Sequence, residues 1–159
     1  MEFEDWEPFY LQIVEDLGLS RTDDEAVAAE LDRLLGGRRA TRQELREVFR
    51  GKTVTVAGNG PSLMKDLADA EGVLVTADEA TSVALEMGRL PAVLVTDLDG
   101  NVADQVRANA QGTIAVILGH GDNGPAVRRW APQFAGRTVA TTQSRPSGGR
   151  FDFGGFTDG

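Results

Sequence analysis

Between Trp6 and Leu17 the apolar residues Trp6, Phe9, Tyr10, Ile13, Val14 and Leu17 recur at intervals of three and four, the spacing of a helix with one buried face. The stretch TDDEAVAAELDRLLGG repeats this pattern. It offers Thr22 as N-cap with Glu25 three residues on, and stops at Gly36 and Gly37. A third stretch, TRQELREVFRG, places Thr41, Glu44 and Gly51 in the same roles. No strand pattern interrupts these, so residues 1–51 are expected to form a helical N-terminal segment.

From Lys52 onward the period shortens. β-branched runs at 53–58, 72–77, 92–97, 113–119 and 138–143 read as strands. Between them SLMKDLADA, EATSVALEMG, ADQVRANAQG and PAVRRWAPQFAG read as amphipathic helices. Strands alternating with helices of this length indicate a parallel sheet with crossover helices. The expected fold class is α/β: a Rossmann-like three-layer sandwich with a mostly parallel sheet over residues 52–159, preceded by the helical segment.

Composition narrows the chemistry. The chain of 159 residues has no cysteine, which removes disulfides, thiolate metal sites and cysteine nucleophiles. Its net charge is -9, with Lys52 and Lys65 as the lysines, a balance that argues against nucleic acid as a partner. Such an acidic, lysine-poor surface is expected of a protein working at high ionic strength, where salt screens self-repulsion. No apolar run approaches the ~18 residues of a membrane span, and MEFEDWEPFY is acidic where a signal peptide is basic. The expectation is a cytoplasmic protein whose partners are small molecules, with homo-oligomerisation left open.

In open parallel sheets ligands bind beyond the carboxyl ends of the strands, so the loops there decide function. GNGPSL follows the first strand. Gly58 and Gly60 permit a tight turn, Pro61 suits a first helical position, and the free N–H groups would hold a phosphate. The third strand runs into TDLDGN. Its two carboxylates, Asp97 and Asp99, repel each other; either one could cap the next helix, but together they would share one Mg2+ while leaving positions for phosphate oxygens. GHGDNG carries the one histidine, His120, with Asp122 and Asn123. Asp122 is expected to join the metal shell, and His120 to contact phosphate or orient a nucleophile. GFTDG adds Thr157 and Asp158 in another glycine-framed turn, and Asp78 follows the second strand as a candidate for ribose or base.

Taken in order, GNGPSL, VTDLDG, HGDN and GFTDG, together with FYLQIVEDLGL and DDEAVAAELDRLL upstream, resemble the archaeal 6-hydroxymethyl-7,8-dihydropterin pyrophosphokinases, a family similar in fold to thiamin pyrophosphokinases. The resemblance implies Mg2+-dependent transfer of the β,γ-diphosphate of ATP to the hydroxymethyl group of a reduced pterin, with release of AMP. It places magnesium on Asp97 and Asp99 with help from Asp122. Gly58, Asn59, Gly60, Pro61 and Ser62 would seat the nucleotide or its phosphates. A carboxylate facing the guanidine-like edge of the pterin is implied as well, Asp158 and Asp78 standing as alternatives.

The family commonly has a histidine where this chain has Leu118, and its members continue past GFTDG with a helix and at least one more strand. The expectation that follows is a catalytic domain lacking C-terminal elements and nearly inactive alone, with residues from about Gly148 mobile or held by a neighbouring chain. GNGPSL also resembles the nucleotide-sugar loop of some sialyltransferases, whose remaining catalytic pattern is not evident here, and two other readings compete. DLDGN is close to the nucleophile motif of haloacid-dehalogenase-type phosphatases, in which Asp97 would be phosphorylated and Asp99 would act as acid and base; here, however, Asn101 stands at the Thr position and no lysine follows Lys65. A non-catalytic nucleotide-binding module is the other.

Overall fold

The computed structural model describes residues 2–156. Three helices come first: α1 (Phe3–Leu17), α2 (Arg21–Leu35) and α3 (Arg42–Phe49). Strands and helices then alternate: β1 (Val54–Ala57), α4 (Leu63–Ala68), β2 (Val73–Ala77), α5 (Ala80–Glu86), β3 (Val93–Thr96), α6 (Val102–Ala110), β4 (Ile114–Leu118), α7 (Gly124–Trp130) and β5 (Thr138–Thr141). All five expected strands are present. They form one sheet of order β1-β2-β3-β4-β5, parallel at every pairing, so the fold is the expected α/β sandwich.

Parallel neighbours require crossovers, and crossovers of one hand put their helices on one face of the sheet. Side-chain alternation shows the result. Ala57 and Leu74 pack against α4 and α5 through Leu63, Leu67, Ala80 and Ala84. Leu94, Ala115, Ile117 and Ala140 pack against α6, α7 and α2. The intervening residues Val75, Val93, Val116 and Val139 face the other side, where Ala40 and Leu45 cover them. Because α3 is short, this second face keeps an apolar trough of about 1110 Å³ over Val75, Val93, Val95 and Val116.

Several local expectations are corrected. Phe9 and Leu17 are 62% and 63% exposed; the buried stripe of α1 is Phe3, Trp6 and Tyr10, and the apolar face runs past the surface available to cover it. The N-cap of α2 is Ser20, whose hydroxyl accepts from Asp23 N at 3.2 Å. Left-handed Gly18 closes α1 and leaves Ser20 as the extended residue before the next helix, so Thr22 lies inside the first turn. Thr41 and Glu44 do form the expected capping box on α3. Pro61 is not the first helical residue, since α4 begins at Leu63 with Ser62 as its cap.

Candidate active site

The carboxyl ends of β2, β3 and β4 are laced together by a belt of hydrogen bonds that starts in the turn after β2. There Asp78 takes a φ of 41° and its N–H donates to the Val95 carbonyl of β3 at 3.0 Å. Next to it, Glu79 Oε2 accepts from Asn101 N at 2.8 Å. The β2 turn is thereby fixed onto the β3 turn.

In TDLDGN the residue between the two aspartates is Leu98, which adopts a φ of 72° although it is not glycine. Left-handed backbone costs a leucine roughly 1–2 kcal/mol, and here it is held by its neighbours. Leu98 N donates to Thr96 Oγ1 at 2.8 Å, and Thr96 Oγ1 donates to Gln105 Oε1 at 2.8 Å. Gln105 Nε2 in turn donates to the Asp99 carbonyl at 2.9 Å. A fully buried amide on α6 thus braces both ends of the turn. Strain maintained in this way is typical of sites that aim side chains at a ligand.

Here the aim is shared. One carboxylate oxygen each from Asp78, Asp97 and Asp99 lies within 4.8 Å of the others. Asp97 Oδ1 is buried and has no hydrogen-bond partner among the described residues. A buried carboxylate oxygen without a partner is costly unless a ligand completes it. Oxygen donors at this spacing suit a hard divalent cation. Asp78, read from the sequence as a ribose or base contact, belongs to this group, whereas Asp122 is exposed and does not.

Asn123 fastens the third loop. Its amide nitrogen donates to the Asp97 carbonyl at 2.7 Å and to the Leu118 carbonyl at 2.8 Å, while its oxygen accepts from His120 N at 3.0 Å. The side chain is occupied in bracing the loop. His120 Nε2 lies 3.6 Å from Asp97 Oδ2. Pairing with Asp97 raises the imidazole pKa above its ordinary value, against the opposing effect of burial.

The belt ends at a residue that sequence reasoning missed. Asp24 on α2 is 3% exposed. Its Oδ1 accepts from Gly121 N at 2.7 Å, and its Oδ2 accepts from Tyr10 OH at 2.7 Å and from Gln143 Nε2 at 2.8 Å. Helices α1 and α2 are thereby joined to the His120 loop and to the segment after β5. The one signal in the sequence was an aspartate on the same helical face as Ala28 and Leu31.

GNGPSL lies at the end of edge strand β1, and residues 58–62 are exposed. Gly58 and Gly60 avoid positive φ, and a Cβ on either would meet open space, so neither glycine is demanded by the backbone. Gly60 N and Leu63 N are used within the turn, donating to the Gly58 and Gly60 carbonyls at 2.9 and 3.0 Å. Thr157 and Asp158 lie outside the described residues. Among the described residues no helix is long and apolar enough to cross a membrane.

No family model matches the chain. Full-length comparison with curated proteins does find relatives. The chain is 40% identical over 164 residues, spanning all of itself and 70% of the relative, to the 6-hydroxymethyl-7,8-dihydropterin pyrophosphokinase of Methanothermobacter thermautotrophicus. It is 37% identical to the protein of that name from Pyrococcus furiosus, spanning 69% of it. It is 29% identical to that from Methanocaldococcus jannaschii, spanning 71%.

Proposed function

The chain belongs to the 6-hydroxymethyl-7,8-dihydropterin pyrophosphokinase family of ATP-dependent diphosphotransferases, and we propose that it carries out this reaction with Mg2+ held by Asp78, Asp97 and Asp99. In the reaction the hydroxymethyl oxygen of the reduced pterin attacks the β-phosphorus of ATP. The bond from that phosphorus to the oxygen bridging it to the α-phosphorus breaks, AMP leaves with that oxygen, and the hydroxyl proton is released. The product is the pterin diphosphate, a precursor of pterin cofactors.

The observation that carries this reading is the carboxylate group at the ends of β2 and β3, with a buried Asp97 oxygen that has no hydrogen-bond partner among the described residues, in a chain similar over its whole length to pterin pyrophosphokinases. Bound there, the cation would neutralise charge on the transferring diphosphate. The chain's own residues supply the rest. His120, whose Nε2 lies 3.6 Å from Asp97 Oδ2, is suited by position to donate a hydrogen bond to a phosphate oxygen. The belt through Gln105, Asn123 and Asp24 keeps the loops from relaxing as charge develops, which is how preorganised sites lower a barrier. The exposed loop from Gly58 through Asn59, Gly60 and Pro61 to Ser62 would, in this reading, contact nucleotide phosphates. In this reading residues 52–159 form the catalytic domain and 1–51 a helical segment that walls its site.

Phosphorus NMR of the full chain with ATP, Mg2+ and 6-hydroxymethyl-7,8-dihydropterin tests the proposal. AMP and pterin diphosphate in equal amounts support it. ADP with a pterin monophosphate, or inorganic phosphate alone, would replace it with a different transfer or a hydrolysis.

A further inference from the structure

A cavity of about 300 Å³ opens between the turn joining α1 to α2 and the His120 loop. We propose that this cavity is the acceptor pocket and that it takes the reduced pterin with its amino-pyrimidinone edge toward Asp23 and Asp122. The inference rests on the pyrophosphokinase reading and adds to it the place and the recognition of the acceptor.

Position is the first argument. Asp97 belongs both to the cation group and to the cavity wall, and His120 lines the same wall. A hydroxyl presented from the cavity therefore reaches the reacting phosphate, and proximity of this kind accounts for much of the rate in a two-substrate transfer. The larger trough on the far face of the sheet shares no residue with the cation group.

Charge is the second. Asp23, Asp24, Asp97 and Asp122 line the cavity, with no lysine or arginine lining it among the described residues. A triphosphate is repelled from such a wall. A neutral heterocycle whose edge presents N–H donors is attracted, because two adjacent N–H groups pair with a carboxylate in a fork. Asp24 already accepts from three partners, whereas Asp23 and Asp122 are exposed at the rim.

Shape is the third. Leu19, Leu118 and Phe156 supply apolar walls for a flat bicyclic ring, in the usual manner of pockets with apolar sides and a few polar groups. The floor is stiff: a Cβ on Gly119 would lie 3.0 Å from Ala28 Cα, and one on Gly121 would lie 3.1 Å from Asp23 Cβ, so α2 packs directly on the His120 loop.

The experiment titrates 6-hydroxymethylpterin fluorescence with the full chain, and separately a nonhydrolysable ATP analogue with Mg2+. Leu19→Trp fills the cavity from a surface turn, and Asp23→Asn removes one of the two carboxylates proposed to face the pterin edge. Each is expected to weaken pterin binding about tenfold or more, with nucleotide binding within about twofold of wild type. Phe153→Ala, in the trough, is expected to change neither; pterin binding weakened by Phe153→Ala and by neither cavity variant moves the acceptor to the trough and overturns the inference. A wild type that converts the pterin, with both cavity variants binding it normally, overturns the inference alone. A wild type that neither binds nor converts the pterin overturns the functional reading beneath it. Circular dichroism of each variant establishes that the fold is retained, and Asp122→Asn replaces any variant that fails this check.

Discussion

Asn123 donates a side-chain N–H to the Asp97 carbonyl at 2.7 Å, and this contact fastens the end of β3 to the loop after β4. Asn123→Ala would leave that carbonyl, the Leu118 carbonyl and His120 N without their side-chain partner. Buried polar groups left unpaired cost ~1–3 kcal/mol each. The expected loss in urea unfolding is about 3 kcal/mol, with kcat falling more than the KM for ATP rises, because the loops define the transition-state geometry. Unchanged stability and kinetics would show that the loops are held by other contacts.

Tyr10 predicts an alkaline limit. Burial, and then its bond to Asp24, raise the phenol pKa above the ordinary value of about 10. As pH rises past that value the unfolded chain loses the proton first and the native state keeps it. This contribution to stability is therefore complete below about pH 10 and declines as pH rises above it. Tyr10 is the one tyrosine, so the ultraviolet tyrosinate band reports it alone. The band is expected to appear only with unfolding, and Tyr10→Phe is expected to flatten the alkaline slope. Titration near pH 10 in a folded protein would contradict the buried pairing.

Gly100 is one position where glycine is required. Its φ is 62°, and a Cβ there would lie 2.6 Å from Glu79 Oε2, the atom that accepts from Asn101 N. Gly100→Ala is expected to cost about 1–2 kcal/mol in backbone strain, to break the Glu79 bond and to slow turnover. Measured stability and rate equal to wild type would mean that Glu79 swings away freely.

The surface charge of -9 with two lysines predicts a salt response. The thermal midpoint should climb steadily as KCl is raised toward molar concentrations, since screening weakens self-repulsion. A midpoint indifferent to salt would remove the case for adaptation to high ionic strength.

Much of this architecture was legible in the chain. The strands showed because short β-branched runs alternate with amphipathic stretches of about ten residues, and Thr41 with Glu44 showed because a capping box is local. Asp97, Asp99 and His120 stood out because they sit in the loops beyond the carboxyl ends of apolar strands, where open parallel sheets bind ligands. Asp24 was hidden: its partners Gly121 and Gln143 lie 97 and 119 residues away, and within DDEAV it reads as one more exposed acid. Gln105 and Asn123 were hidden in their bracing roles for the same reason, since a buried amide is explained only by the carbonyls it meets. The place of Asp78 beside Asp97 and Asp99 follows from strand order, which sets the β2 end next to the β3 end and which the linear pattern does not state.

If the carboxylates at the ends of β2 and β3 hold the cation for diphosphoryl transfer, Asp97, with its buried oxygen, is the residue whose loss is felt most. The most direct measurement is the initial rate of AMP formation from ATP and 6-hydroxymethyl-7,8-dihydropterin, with Mg2+ or with chelator, for wild type and Asp97→Asn, each first shown to be folded. AMP formation by wild type is expected to depend on Mg2+ and to fall ~10²–10³-fold in the variant, the scale on which removing an electrostatic stabiliser acts. A folded Asp97→Asn protein releasing AMP at the wild-type rate, or a wild-type rate unaffected by chelation, would contradict this role for the carboxylates.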